Sequence, residues 1–201
     1  MATEVSTIGL QGNRPTEKNA DLSCQEAPVW FVMRDLKRPN AKLPAHKQLS
    51  EMGFEVFTPM KQLITVRAGR RIRQEVPVIP DLLFVCSTRG SLDPVVARTS
   101  TLQYRFMKGS AYCCPMTVRH SDMQRFITAV ESTESPVYYQ PSELKPEMIG
   151  RKIRIVGGSL DGYEGSLLSL RGSRKRRLIV EIPGLMAVGV EINPDYIQFI
   201  N

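Results

Sequence analysis

"IVGGSLDGYEGSLLSLRG", residues 155–172, places glycines at 157, 158, 162 and 165 between two short β-like runs. A phosphate-binding loop would need a strand, a glycine-rich turn, a Lys-Ser/Thr pair and then a helix whose N-terminal amides receive the phosphate. No such pair follows, and "SLLSLRG" reads as a strand. A dinucleotide fingerprint fails for want of the same helix. What remains is geometry. Glycine accepts positive φ and lets backbones approach closely, and a very small β-barrel must turn its corners within a few residues. The stretch therefore predicts a tight all-β module.

The surroundings agree. "RKIRIV", "RLIVEI", "LMAVGVEI" and "YIQFI" are short runs rich in β-branched residues, separated by glycine- and proline-bearing turns. They predict a barrel over 148–201, about 50 residues and near the lower limit for independent folding. Upstream, "TESPVYYQPSELKPEM" has three prolines and no periodicity, so 134–147 reads as a linker.

Residues 29–133 carry a different pattern. "VWFVMRD" (29–35) and "PDLLFVCS" (80–87) are apolar strands, the second central. A helix is expected from about Leu43 to Gly53, since Pro44 is tolerated only in a first turn. "FEVFTPM" (54–60) follows as a strand. "KQLITVRAGRRIRQEVPVI" is a hairpin with Ala68-Gly69 at its tip. A short helix is expected at 91–98, capped by Ser91, with strands at 102–109 and 115–118. In 121–133, Met123, Phe126, Ile127 and Val130 repeat at helical spacing behind Ser121 as cap. The order β-α-β-β-β-α-β-β-α predicts an α+β fold, an antiparallel sheet flanked by helices. Residues 1–28 are polar and aperiodic and read as a disordered tail.

The hydrophobic fraction of 42% supports a packed core in the remaining chain. Net charge is +7, distributed as −2 over 1–27, +6 over 28–147 and +3 over 148–201. The basic character thus belongs to the two folded parts, and it favours a polyanionic partner. The four cysteines form no CxxC pair or secreted-type framework. With no secretory signal pattern and no apolar run of about 20 residues, the reading is a cytoplasmic protein without membrane contact, most simply a monomer. No Cys/His spacing suits zinc, and no cofactor is implied.

"KIRIVGGSLDGYEGSLLSL" resembles the KOW motif of SH3-like barrels, with Gly158, Gly162 and Gly165 at its glycine positions. "WFVMRDLKRPNAKLPAHKQLSEMGFEVFTPM", the basic hairpin and "VPVIPDLLFV" together resemble the NGN domain of the NusG family of transcription factors. The spelling of the first of these looks closer to specialised paralogues than to the housekeeping factor, a group that includes RfaH and the UpxY antiterminators of capsular polysaccharide operons. The resemblance implies an elongation or antitermination factor. Its NGN domain would bind the clamp helices of RNA polymerase through an apolar depression and suppress pausing or termination, with no covalent chemistry. The positions matching that depression are Leu82, Phe84, Tyr104, Met107, Phe126 and Ile127. The KOW module would recruit a ribosomal protein or Rho.

Two basic clusters are candidates for nucleic-acid contact. Arg67, Arg70, Arg71 and Arg73 crowd the hairpin, where phosphates or non-template DNA are the natural partners. Arg34, Lys37, His46 and Lys47 match the surface that reads a non-template base in the RfaH-like branch. "RGSRKRR" (171–177) is a further basic turn. The threonine-rich run that touches the polymerase gate loop has no counterpart in "STRGSLDPVV". Two rival readings exist. Cys113, Cys114 and His120 lie close enough for a thiol nucleophile with a base, but no third orienting group is evident. A KOW-type RNA-binding or ribosome-associated protein that never meets polymerase is the other.

Overall fold

A computed structural model describes residues 27–37, 41–106, 114–168 and 175–200. The expected tail to residue 26, Met107, Cys113 and most of the 171–177 turn lie outside these segments.

The two apolar runs near the start and middle of the first part become β1 (Val29–Asp35) and β5 (Leu82–Ser87), paired antiparallel with Val32 opposite Phe84 and Met33 opposite Leu83. They are the centre of a sheet completed by β2 (Glu55–Phe57), β6 (Leu102–Tyr104) and β7 (Thr117–Val118), in the order β2-β5-β1-β6 with β7 also on β1. Both strands are apolar at nearly every position because both faces are covered. Trp30, Val32, Leu82 and Phe84 pack under α3 (His120–Glu131). Phe31, Met33, Leu83 and Val85 pack under α1 (Ala45–Glu51) and α2 (Arg89–Arg98).

The helix boundaries follow local chemistry. Pro44 stands just before α1, and the first helical amide, Ala45 N–H, donates to the Asp35 carboxylate at 2.7 Å, so the end of β1 caps this helix. Thr88, and not the expected Ser91, caps α2: its Oγ1 accepts from the Ser91 amide at 3.3 Å. Helix α3 begins at His120, one residue before the expected Ser121 cap, with Arg119 at the cap position. The hairpin forms as expected, β3 (Met60–Arg67) and β4 (Arg70–Pro77). Ala68 and Gly69 at its tip both have positive φ, 48° and 74°, the two-residue turn that matches strand twist. It adds one strand to the order expected between α1 and α2, and it stands as a separate two-stranded sheet.

The second part is a six-stranded antiparallel sheet of β8 (Val137–Tyr139), β9 (Ile149–Ile155), β10 (Glu164–Leu168), β11 (Arg177–Ile182), β12 (Met186–Glu191) and β13 (Ile197–Phe199). Its order is β13-β9-β10-β11-β12-β8. Two expectations change here. The segment expected as linker contains β8, because "VYY" is strand-forming and β12 offers it a free edge. Among the described residues the end strands β13 and β8 are not paired with each other, so the ladder runs as a six-stranded sheet in which a closed barrel is not identified. The glycine stretch forms the β9–β10 connection. Gly162 sits there at φ +76°, while Gly165 inside β10 has no room for a side chain: a Cβ would lie 2.5 Å from the Ile179 carbonyl oxygen.

The two parts share one apolar core. Buried Phe126 and Ala129 of α3 belong to the same cluster as Ile153, Leu178, Val180 and Val188 of the second sheet. Arg125 on α3 donates to the Glu164 carbonyl at 2.7 Å and lies 5.5 Å over the Tyr163 ring.

Candidate nucleic-acid interface

The β3–β4 hairpin projects beyond the packed sheets, and nearly all of its residues are exposed. A lone two-stranded ribbon is marginal by itself; this one is anchored at its root, where Val78 N–H donates to the Pro59 carbonyl at 2.8 Å. Opposed pairs run Lys61–Val76, Gln62–Glu75, Leu63–Gln74, Ile64–Arg73, Thr65–Ile72, Val66–Arg71 and Arg67–Arg70. All four arginines foreseen here are exposed, and Ile64 and Val66 beside them are 58% and 67% exposed. The ion pairs found among the described residues involve none of the four.

At the hairpin root a cleft of about 530 Å³ opens between β3–β4 and α1. Its cationic lining is Lys37, Lys42, Lys47 and Lys61, with His46 beside them, and Leu63, Met60, Pro77 and Pro80 supply apolar wall. Lys37 is braced by its ammonium donating to the Leu43 carbonyl at 2.9 Å and to Gln48 Oε1 at 2.7 Å. Burial, reinforced by the neighbouring Lys47 charge and opposed by Asp35, pulls the His46 pKa below its usual value. Lys42 and Lys61 were not foreseen; their signal is only visible once the hairpin folds back beside α1.

Arg34 is separated from this group. It points to the α3 side of β1, pairs with Asp81 at 2.9 Å, and lines a different cleft of about 870 Å³. That second cleft lies at the seam of the two parts. Arg105, Phe106 and Met116 form one side and the Gly184-Leu185 turn the other. Phe106 is 56% exposed.

The set expected to form a single apolar depression is split. Leu82, Phe84 and Phe126 are 2%, 0% and 0% exposed. The Phe57 ring stands 6.4 Å from that of Phe84 and 6.2 Å edge-on from that of Phe126, so both rings are structural core, while Leu82 lies buried at the wall of the cleft beside α1. Ile127 packs, half-buried, against the same core. Tyr104 is on the opposite side of the sheet, edge-on to Phe31, with its hydroxyl donating to Asp93 at 2.6 Å and the Arg89 guanidinium 5.3 Å from its ring centre. Burial, then the Asp93 carboxylate, pushes that phenol well above its usual pKa. A run of alternating apolar residues shows which side chains share a face; here α3 covers one face and α1 and α2 the other.

Of the thiol–imidazole grouping, Cys114 is exposed and His120 begins α3 with its ring 6.5 Å from that of Trp30. Among the described residues no three His, Cys, Asp or Glu side chains converge as metal ligands, and no helix is long and apolar enough to cross a membrane.

Residues 28–127 match the family model NusG, described as transcription termination factor nusG. The match covers almost the whole first part, ending within α3, and supports a NusG-like transcription factor. No curated protein matches the chain.

Proposed function

We propose, from the NusG-type match over residues 28–127, that this protein is a transcription elongation factor that binds RNA polymerase and opposes pausing or termination. Specialised operons such as those for polysaccharide synthesis are the reading its sequence spelling supports. NusG-type factors are not enzymes, and the mechanism is one of differential affinity. A factor that binds the closed, elongating polymerase more tightly than the paused one shifts the population toward elongation. The observation that carries this reading is the family match joined to an exposed cationic hairpin on the same module.

The polymerase contact belongs at the seam cleft, and not at Leu82, Phe84 and Phe126. Phe106 and Met116 give the seam an exposed aromatic and an adaptable thioether, suited to a partner helix. The Gly184-Leu185 turn occupies the opposite wall, so polymerase and the C-terminal sheet compete for this space. The C-terminal sheet, with its KOW-like glycines, is the part available for a ribosomal protein or Rho.

Affinity capture of the full chain, followed by single-round transcription on pause- and terminator-bearing templates, tests the proposal. Wild type retains core polymerase and lengthens transcripts; Phe106→Asp with Met116→Asp loses both. Phe84→Asp is uninformative because it breaks the core. Wild type without polymerase, or tight binding with no change in pausing or termination, overturns the reading.

A further inference from the structure

Within β3, Leu63, Ile64, Thr65 and Val66 form an unbroken strand-forming run, "LITV". Successive strand residues point to opposite faces, so β3 is apolar on both. Such a run belongs to an inner strand, with cover on its faces and a neighbour on each edge. Yet among the described residues β3 pairs with β4 alone. Val66 and Ile64 are also the most exposed large apolar side chains among those residues. The outer edge of β3 therefore combines open backbone donors and acceptors with exposed aliphatic side chains, on a two-stranded ribbon that gains stability from a third strand. The edge of β4 is different, since Arg70, Arg71 and Arg73 crowd it.

We propose that residues 4–10 of this same chain, "EVSTIGL", add to the outer edge of β3 as a third, antiparallel strand, so that the N-terminal tail covers the hairpin. Three observations carry it. The first is complementarity at one register. With Val5 to Ile8 beside Leu63 to Val66, Glu4 stands opposite Arg67, Val5 opposite Val66, Ser6 opposite Thr65, Thr7 opposite Ile64 and Ile8 opposite Leu63. An opposite-charge pair, a hydroxyl pair and aliphatic pairs are the combinations that stabilise adjacent strands. Run in parallel over the same residues, the segment would set Glu4 against Gln62 and lose the charge pair. Charge is the second. Residues 1–27 are the acidic part of the chain, at −2, whereas the hairpin carries Lys61, Arg67, Arg70, Arg71 and Arg73 against Glu75. Reach is the third. The antiparallel register brings Leu10 to Lys61 at the hairpin root. That root lies past the Arg34–Leu82 end of the central strand pair, while Val29 lies at the Ser87 end. Residues 11–26 must therefore span about 25 Å, chiefly the length of β1 at ~3.3 Å per residue. Sixteen residues of flexible chain have a mean end-to-end distance of about 20–24 Å, so the tether matches the span and holds the segment at high effective concentration. A polar segment with too little apolar surface to fold alone gains order on such an edge. The contact lies within the chain and does not depend on the transcription-factor reading.

Amide hydrogen exchange of the full chain, read by mass spectrometry over β3 and β4 at two protein concentrations, tests the contact. Val5→Asp with Ile8→Asp speeds exchange in β3 about tenfold, because the outward amides of β3 lose their partners. Exchange in β1 and β5 is unchanged, which shows that the variant is folded. Glu4→Arg alone, or Arg67→Glu alone, speeds β3 exchange in the same direction. The two combined return it to within about twofold of wild type, the signature of a direct pair. Wild-type protection is the same at both concentrations. Equal β3 exchange in wild type and Val5→Asp/Ile8→Asp overturns the proposal, as does failure of the charge swap to restore protection. Protection that disappears on dilution also overturns it and assigns the edge to a second copy of the chain. Polymerase capture reports on the factor reading separately.

Discussion

Replacing Gly165 by alanine isolates the reason the β9–β10 segment is so rich in glycine. The new Cβ would sit 2.5 Å from the Ile179 carbonyl oxygen and 2.7 Å from a Leu178 methyl. Ordinary contact begins near 3.4 Å, so the shortfall at the oxygen is about 0.9 Å, and that atom is backbone in the neighbouring strand β11. Relief requires β10 and β11 to separate in the middle of the sheet, and overpacking of this kind costs about 1–3 kcal/mol. Gly162→Ala is the matched control. Nothing lies within 4 Å of its Cβ, but φ is +76°, a conformation costing about 1–2 kcal/mol. Part of that is returned because alanine stiffens the unfolded chain by about 0.4–1 kcal/mol. Gly165→Ala is therefore the more damaging of the two. With m of about 2 kcal/mol/M in urea, a loss of about 2 kcal/mol lowers the midpoint by about 1 M, against less than about 0.5 M for Gly162→Ala. Equilibrium urea unfolding followed by Trp30 fluorescence and by circular dichroism gives both midpoints. An unchanged midpoint for Gly165→Ala, or a larger drop for Gly162→Ala, would refute the steric account.

Arg125→Ala removes the hydrogen bond to Glu164 and the cation over Tyr163; at about 1–2 kcal/mol it raises opening of the seam roughly 5–30-fold, read as faster proteolysis between the parts and stronger polymerase capture. Thr88→Ala unravels the start of α2 and costs about 1 kcal/mol, a melting shift of about 2–4 °C, whereas Ser91→Ala keeps the amide that donates to the cap, loses only the exposed hydrogen bond from the Thr88 hydroxyl to the Ser91 hydroxyl at 3.2 Å, and has a smaller effect. Tyr138 is pushed up to about 12 by burial and by Glu75. Its folded pKa lies above the unfolded value, so its contribution to stability is intact below about pH 10 and is lost as pH rises toward 12. Comparing urea midpoints at pH 9 and 11 should show the decline, and Tyr138→Phe should remove this residue's share of it while relieving a buried hydroxyl that has no partner among the described residues.

Most element positions were legible because they depend on neighbours in sequence. "VWFVMRD" is too short and too β-branched for a helix, α3 announces itself by its apolar stripe, and Ala68-Gly69 fixes the hairpin tip. The caps were less legible: Ser91 and Ser121 are good capping residues by type, yet Thr88 and Arg119 hold those places. The burial of Leu82 and Phe84 was also written in the chain, since an unbroken apolar run such as "LLFVC" marks a strand covered on both faces. Reading two of its residues as a surface set aside that signal.

By itself the sequence determined most of the order of strands and helices, the basic hairpin and the glycine-dependent sheet, though not β8 in the expected linker, because propensity, periodicity and turn chemistry act over a few residues. Only tertiary structure decided which faces survive as surface. It put α3 and the C-terminal sheet over Phe84, moved Arg34 away from Lys47, and gathered Lys42 and Lys61 into one cleft. Those outcomes depend on how distant segments cover one another, and alternation along a strand records that two side chains share a side without recording what lies against it.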